Sequence, residues 1–383
     1  MMWEIAKLGD ISKNIQTGPF GSQLHQSDYS ECGTPVVMPK DLVGGKISEE
    51  SIARVDKTHV ERLCRHKIEV GDILYSRRGD VGRCAHVTKK EEGWLCGTGC
   101  LRVTIDSEKA DSRFVFFQLQ HPDTVGWVEK HAVGATMLNL NTTILSSVPI
   151  RLPALEIQKR IADILSAYDD LIENNQKQIK LLEEAAQRLY KEWFVDLRFP
   201  GHENTKIVDG VPEGWSRTNI NGILTFHRGY DLTKNEMKAG RYPVIGSTSI
   251  IGYHNEFKIK GPGIVTGRSG SLGKYQLVWD DFWPHNTSLY ISNYKGHNIF
   301  FVYSLLQTVD FASLNNGGAI PTLNRNVLSN IEVIEPEKKL QDVFAKIAEP
   351  QYQKIRNLEK QNDRLKTARG LLLAKLMSGE VEV

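Results

Sequence analysis

The stretch GATMLNLNTTILSSVPIRLP, residues 134–153, recurs as GAIPTLNRNVLSNIEVIEP at residues 318–336. We call these two stretches the repeated box. A shift of 183 residues superposes identical residues at Leu140/Leu323, Asn141/Asn324, Leu145/Leu328, Ser146/Ser329, Pro153/Pro336 and Gln158/Gln341. A long charged segment follows each copy. An internal repeat of this kind indicates that the chain is built twice from one plan.

Weaker similarities extend the repeat toward the front of each half. Trp3 with the stretch to Ile11 resembles Trp215 with the stretch to Leu224, and RGDVGR (78–83) resembles SGSLGK (269–274). Each half therefore reads as a globular module followed by a helix.

Composition places the chain among ordinary globular proteins. It has 383 residues, 40% hydrophobic and 25% charged, with a net charge of +2, which suggests two or three domains. No apolar run is long enough for a membrane span and the start lacks the apolar block of a secretion signal, so a cytoplasmic location is expected. The five cysteines lack metal-ligand spacing and are expected to be reduced, packed thiols, with no metal site.

The modules, residues 1–153 and 213–336, consist of short β-branched or aromatic runs separated by Gly, Pro, Asn and Asp. This pattern predicts irregular, mostly antiparallel β structure with a few helices such as RFVFFQLQ, residues 113–120. Residues 154–199 and 337–383 instead show apolar residues at helical 3/4 spacing over several heptads, which predicts two long helices. Residues 200–212 read as a linker, and Pro350 should interrupt or restart the second helix.

Neither helix can bury its apolar stripe alone. We predict an α+β fold in which the two helices form an antiparallel coiled-coil pair, relating the two mostly-β modules by a pseudo-twofold axis. Pairing residues whose numbers sum to 537 places Asn175 opposite Asn362 and Trp193 opposite Phe344. A buried pair of asparagines would fix this helix register. The helix pair would span about 48 Å at 1.5 Å per residue.

In these motifs the chain resembles the DNA specificity subunits of type I restriction-modification systems. The resemblance covers the whole length through TGPFGSQL (17–24), GDILYSRRGDVGR (71–83), GATMLNLN (134–141), EIQKRIADILSAYDDLIE (156–173) and LYKEWFVDLRFPG (189–201), and again through VPEGW (211–215), TGRSGSLGK (266–274) and GGAIPTLNRNVLSNIEV (317–333). Each motif is weak alone, but their duplicated order is specific.

The resemblance implies two target-recognition domains that each read one half of a split double-stranded DNA site. The helices would be spacers that dock methyltransferase subunits, expected to be two, with restriction or translocase subunits as a further partner. It implies no catalytic site and no cofactor in this chain, S-adenosylmethionine belonging to the methyltransferase. The repeated box would be the hinge that starts each helix. The alternatives are a self-contained methyltransferase or nuclease half, and a coiled-coil adaptor that does not contact DNA.

Glycine-bounded turns supply the candidate DNA contacts, because the backbone can approach a phosphate or base edge closely there. The candidates are Arg77, Arg78 and Arg83 in the first module, Arg268, Ser269 and Lys274 in the second, and also Gln23 and Lys40. Solvated charges on ordinary turns are the alternative. The modules are nearly neutral, with 19 Lys+Arg against 19 Asp+Glu in residues 1–153 and 12 against 11 in residues 201–336. The chain alone should therefore bind DNA weakly.

Overall fold

A computed structural model describes residues 3–134, 137–268, 273–309 and 331–383. The chain forms two compact units, the first comprising residues 1–173 with 362–383 and the second residues 174–361. None of the helices within the described residues is long and apolar enough to cross a membrane.

The first unit contains twelve short strands and four short helices among its described residues. Its strands are β1 Glu4–Lys7, β2 Ser12–Thr17, β3 Tyr29–Ser30, β4 Thr34–Val37, β5 Leu42–Val43, β6 Lys46–Ile47, β7 Ala53–Val55, β8 Ile73–Ser76, β9 Cys84–His86, β10 Leu95–Cys96, β11 Cys100–Ile105 and β12 Pro149–Leu152. Its short helices are Lys57–Arg62, Ser112–Gln120, Pro122–His131 and Thr142–Ser146. The first long helix, Leu155–Tyr190, follows β12 and contributes residues to both units.

Two four-stranded sheets organise the first unit. The antiparallel sheet has the order β2-β11-β8-β9, and a second sheet has the order β10-β4-β7-β3, in which β10 and β4 are parallel. Helix Ser112–Gln120 buries Phe114 and Phe117 in the main core. Its start is fixed by Asp111, whose carboxylate accepts hydrogen bonds from the backbone N–H groups of Arg113 and Phe114.

The second unit repeats this plan. Its strands are β13 Ile207–Val208, β14 Val211–Pro212, β15 Ser216–Asn219, β16 Thr225–Arg228, β17 Tyr242–Ile245, β18 Ile250–His254, β19 Gly263–Gly267, β20 Tyr275–Val278, β21 Trp283–Pro284, β22 Ser288–Asn293 and β23 Glu332–Glu335. Its helices are Ile220–Ile223, Ile299–Thr308 and the second long helix, Lys338–Ser378, which also contributes to both units. The antiparallel sheet β16-β22-β19-β20 corresponds to β2-β11-β8-β9 in strand order, and β17 and β21 form the parallel pair that corresponds to β4 and β10.

In each unit, a strand near the start of the sheet-rich module pairs with the strand that precedes the long helix. β1 pairs with β12, the strand that directly precedes the first long helix. β15 pairs in the same way with β23, directly before the second long helix. The predicted similarity between the stretches after Trp3 and Trp215 therefore corresponds to equivalent strands. The segment predicted as a linker contains the β13–β14 hairpin.

The described part of the first repeated box makes contacts within its unit before it leads into the long helix, and its role as a hinge stays a prediction. The Gly79 N–H donates to Leu138 O at 3.0 Å and the Leu140 N–H donates to Arg77 O at 2.8 Å, so the box braces the turn after β8. Asn141 then caps helix Thr142–Ser146. The box ends with β12 and Pro153, and the long helix begins at Leu155. Residues 135, 136 and 318–330 of the two boxes lie outside the described residues.

A buried glutamine joins each long helix to its unit. The Gln158 amide donates to Pro153 O at 2.9 Å, and its oxygen accepts from the Asp111 N–H at 3.0 Å. Gln341 donates to Pro336 O at the same distance, and its oxygen faces the N–H of Asn298 at 3.4 Å. Both glutamines are at most 2% exposed, and their bonds to Pro153 and Pro336 are buried. The repeat thus preserves a specific hydrogen-bonded joint.

The two long helices run antiparallel within each unit. In the first unit, Arg369 forms an ion pair with Asp169 at 2.8 Å, whereas Asn362, nearer the start of its helix, donates to the carbonyl of Ile172. In the second unit the predicted partners Trp193 and Phe344 are in ring contact, with centroids 6.1 Å apart. The antiparallel α+β architecture is confirmed. Asn175 and Asn362 are both buried, and the pairing of their amides stays a prediction.

The expectation that Pro350 breaks the second helix is wrong. The helix runs without interruption from Lys338 to Ser378, with Pro350 inside it. Phe344 and Ala348 before the proline, and Tyr352 and Ile355 after it, are all buried in one core. Packing on both sides outweighs the roughly 3 kcal/mol that an internal proline costs a helix. The first long helix ends instead in a π-helical turn, Lys191–Val195.

Candidate nucleic-acid interface

Three loops meet where strands of the antiparallel sheet in the first unit end, all at the same end of the sheet. They are the turn after β2 (residues 18–24), the turn after β8 (77–83) and the loop before β11 (97–99), and we call them the first loop edge. The Gly18 N–H donates to Cys100 O at 2.9 Å and the Arg77 N–H donates to Gly99 O at 2.8 Å. A Cβ at Gly18 would lie 2.0 Å from the carbonyl oxygen of Gly97, so only glycine allows this approach.

Arg77 is the most suitable group of the first loop edge for an anionic ligand. Its guanidinium lies over the exposed ring of Phe20, 5.8 Å from the centroid. Its Nε is buried without a hydrogen-bond partner, and the arginine forms no ion pair with any described residue. An unpaired arginine held by an aromatic ring is preorganised for a phosphate or for a guanine edge.

The other candidates of the first unit differ in how their polar groups are engaged. Arg78 is exposed, with no side-chain hydrogen bond to the described residues. Arg83 is already paired with Asp80 at 2.7 Å. The Gln23 oxygen accepts from the Phe20 N–H at 3.2 Å, and Lys40 donates to Ser51 O at 2.8 Å. Arg83, Gln23 and Lys40 therefore have part of their hydrogen-bonding capacity used within the unit.

The second unit builds the same edge, the second loop edge, from the turn after β16 (229–231), Arg268 after β19, Lys274 before β20 and the loop before β22 (285–287). The Gly229 N–H donates to Ser288 O at 3.1 Å and the Arg268 N–H donates to Thr287 O at 3.1 Å. A Cβ at Gly229 would lie 2.0 Å from His285 O, the same approach as at Gly18. Arg268 thus occupies the position of Arg77.

The side chains of Arg268 and Lys274 are exposed and make no hydrogen bond or ion pair within the described ranges. Ser269, predicted beside them, lies outside the described residues. The flanking strands support the predicted similarity of the two turns, because Tyr75 pairs with Cys84 as Thr266 pairs with Tyr275, both shifted by 191 residues.

Sequence reasoning missed the loops before β11 and β22. Their sequences, GTG (97–99) and HNT (285–287), share only short or polar residues ahead of a strand. Parallel pairing places them, since the Gly97 N–H donates to Val37 O and the His285 N–H to Ile245 O, both at 2.9 Å. No local sequence signal reveals such pairing between distant segments.

Three of the five thiols are packed as expected, whereas the expectation of packing is wrong for Cys32 and Cys64. All five cysteines are free, and Cys84, Cys96 and Cys100 are buried while Cys32 and Cys64 are exposed. Burial raises the pKa of the Cys84 and Cys96 thiols to about 12, which disfavours the reactive thiolate. Among the described residues, no cluster of three or more His, Cys, Asp or Glu is placed to hold a metal ion.

A family comparison identifies the class of protein to which these two sheet-rich units on long antiparallel helices belong. The model of the type I restriction modification DNA specificity domain matches residues 2–184 and 212–367, and the chain belongs to this family of specificity subunits. Such subunits are not catalytic, and the methylase and nuclease activities lie in other subunits.

Individual relatives agree with this assignment. The chain is 25% identical to the type I restriction enzyme MjaIX specificity subunit of Methanocaldococcus jannaschii over all of this chain and 94% of the relative. It is 28% identical to the HindI specificity subunit of Haemophilus influenzae over 51% of this chain and 41% of that one. The crystal structure of a type I S subunit from M. genitalium has a TM-score of 0.68 at 19% identity, covering 98% of this chain and 96% of that chain, which shows the shared fold.

Proposed function

We propose that this chain is the sequence-reading subunit of a cytoplasmic type I restriction-modification complex, in which each unit reads one half of an asymmetric, two-part double-stranded DNA site. The observation that carries the proposal is the loop edge, built twice on one backbone plan with different side chains. Arg77 lies beside a loop of glycines and Thr98, whereas Arg268 lies beside Asn286 and Thr287. Different side chains on equivalent loops would select different bases.

Within the loop edges, Arg77, Arg78, Arg268 and Lys274 are the proposed DNA contacts, since their charges are not neutralised by described neighbours. Ser269 stays a candidate from its place in the sequence. Arg83, Gln23 and Lys40, which are engaged locally, would contribute less. Contacts to phosphate would position the duplex, and contacts to base edges would select sequence.

Two methyltransferase subunits, with restriction or translocase subunits as further partners, would supply the chemistry and the S-adenosylmethionine. Since the modules carry almost no net charge, tight binding requires basic surface from these partners. The long helices would be the spacer that sets the unread gap between half-sites and the surface on which the methyltransferases dock. The first long helix alone spans roughly 54 Å at 1.5 Å per residue.

The test is to co-purify the chain with its methyltransferase subunits and to sequence the methylated adenines of the host genome or of a random duplex library. We expect one asymmetric motif with two constant halves and a gap of fixed length. A motif that is symmetric, or continuous, would contradict the proposal. So would methylation by the chain alone, or nanomolar binding by the chain alone near physiological salt.

A further inference from the structure

Asp231 organises two side chains on the second loop edge. One carboxylate oxygen, Oδ1, accepts a hydrogen bond from Arg228 Nη2 at 3.1 Å and another from the Asn286 side-chain amide. The backbone holds this group together. Tyr230 pairs with His285 in a parallel bridge, and the Tyr230 N–H donates to Pro284 O at 2.8 Å. Asp231 is next to Tyr230 and Asn286 is next to His285, so the two side chains extend from backbone segments that are paired with each other.

The carboxylate fixes which way the amide of Asn286 faces. An ionised carboxylate can only accept hydrogen bonds, so the nitrogen of the amide must face Asp231 and the oxygen must face away. One N–H of Nδ2 is used by Asp231. The second N–H and Oδ1 have no hydrogen-bond partner among the described residues, and the side chain is partly exposed.

We propose that Asn286 reads an adenine of the second half-site in the major groove, Oδ1 accepting from N6–H and Nδ2–H donating to N7. An asparagine that presents both groups matches the pattern that adenine displays there. Asp231 is a positioning residue that sets the amide orientation. Arg228 offsets the negative charge that would otherwise face phosphates. The inference rests on the proposed function and adds to it the base that this loop selects.

The equivalent position of the first loop edge provides a matched control. Thr98 follows Gly97 as Asn286 follows His285, and its hydroxyl donates to Pro19 O at 3.0 Å. That hydrogen is committed to the backbone, and a threonine cannot supply the paired donor and acceptor of an amide. The two half-sites should therefore differ at the position that this loop faces.

The experiment compares the wild-type chain with N286A, N286D, D231N and T98V, each in complex with the methyltransferase subunits. Each complex selects duplexes from a randomised library, and the bound sequences give a base preference at every position. We expect N286A to reduce the preference for adenine at one position of the second half by at least about tenfold, and to leave the first half unchanged. N286D lacks the amide N–H groups and places a second carboxylate beside Asp231, so it should lose the adenine preference as N286A does.

D231N should relax the same position partially, because its amide no longer dictates the orientation of Asn286. T98V should leave the second half intact. A second half that keeps all its preferences in folded N286A, checked by an unchanged Tm, would overturn this inference while the two-part motif upholds the proposed function. The inference would also be overturned if D231N lost a preference for cytosine in the second half while the preference for adenine was retained. Asp231, and not Asn286, would then be the residue that reads a base. If the wild-type complex gave no two-part motif, both would fail.

Discussion

Replacing Gln158 with leucine tests whether the buried joint between helix and unit stabilises the first unit. Leucine has a similar volume but cannot replace either hydrogen bond, so the part-buried N–H of Asp111 and the buried carbonyl of Pro153 lose their partner. Each unsatisfied buried group costs about 1–3 kcal/mol, and the apolar side chain offsets part of this. We expect a loss of about 2–4 kcal/mol.

Native-state hydrogen exchange measures this loss separately in each unit. In Gln158→Leu, amides of helix Ser112–Gln120 should exchange faster by roughly 30- to 700-fold, which corresponds to 2–4 kcal/mol. Amides of helix Ile299–Thr308 should change little, and Gln341→Leu should reverse the pattern. Gln176→Leu, at an exposed position of the same long helix, is the control. If the amides of helix Ser112–Gln120 exchanged equally fast in Gln158→Leu and Gln176→Leu, the argument would be refuted.

Three further outcomes are expected. Arg77→Ala and Arg268→Ala should each weaken DNA binding by the full complex. Where the arginine contacts phosphate, the slope of log affinity against log salt concentration should fall in magnitude by about one. Arg83→Ala removes a charge that is already paired, so its effect in the same titration should be smaller. Burial lowers the pKa of His66 and His86 to about 4 from an unfolded value near 6.5, so only the unfolded chain gains these protons as pH falls through that window. The contribution of these histidines to the free energy of unfolding, measured with urea, should therefore be constant above pH 6.5. At pH 5 the free energy of unfolding should be lower by up to about 2 kcal/mol per histidine. A free energy of unfolding that does not change with pH would contradict the lowered pKa values. Inserting seven residues into both long helices should lengthen the gap of the methylated motif by about three base pairs, since the insertion adds roughly 10.5 Å, while a change in either half-site would count against the spacer role.

The sequence predicted the elements whose signals are local and repeated. Apolar residues at 3/4 spacing revealed both long helices, and the antiparallel contact of Trp193 with Phe344 followed from burying two stripes together. Pro350 was misjudged because the local rule ignores packing, and Phe344 and Tyr352 are buried on either side of it. Tertiary contacts decide such cases.

The loop edges show the same division. Arg77 and Arg268 could be selected from their glycine-bounded turns, and the structure places them at equivalent positions. No local sequence feature distinguishes them from Lys40, whose ammonium donates a hydrogen bond to the backbone oxygen of Ser51, 11 residues later in the chain. Asn286 was missed for a related reason. Its setting depends on Asp231, 55 residues earlier, and on pairing between segments that no spacing rule connects.

The pairing of β15 with β23 has a consequence for how such genes can diversify. The strands of the four-stranded sheet β16-β22-β19-β20 and of the sheet that contains β17 and β21 all lie between these two partners, within the interval from Ser216 to Glu335. A recombination event with breakpoints just outside this interval would transplant a matched pair of closing strands together with everything they enclose. A breakpoint inside it would join strands that never evolved as neighbours, so exchange of whole cassettes is the route that leaves the protein foldable.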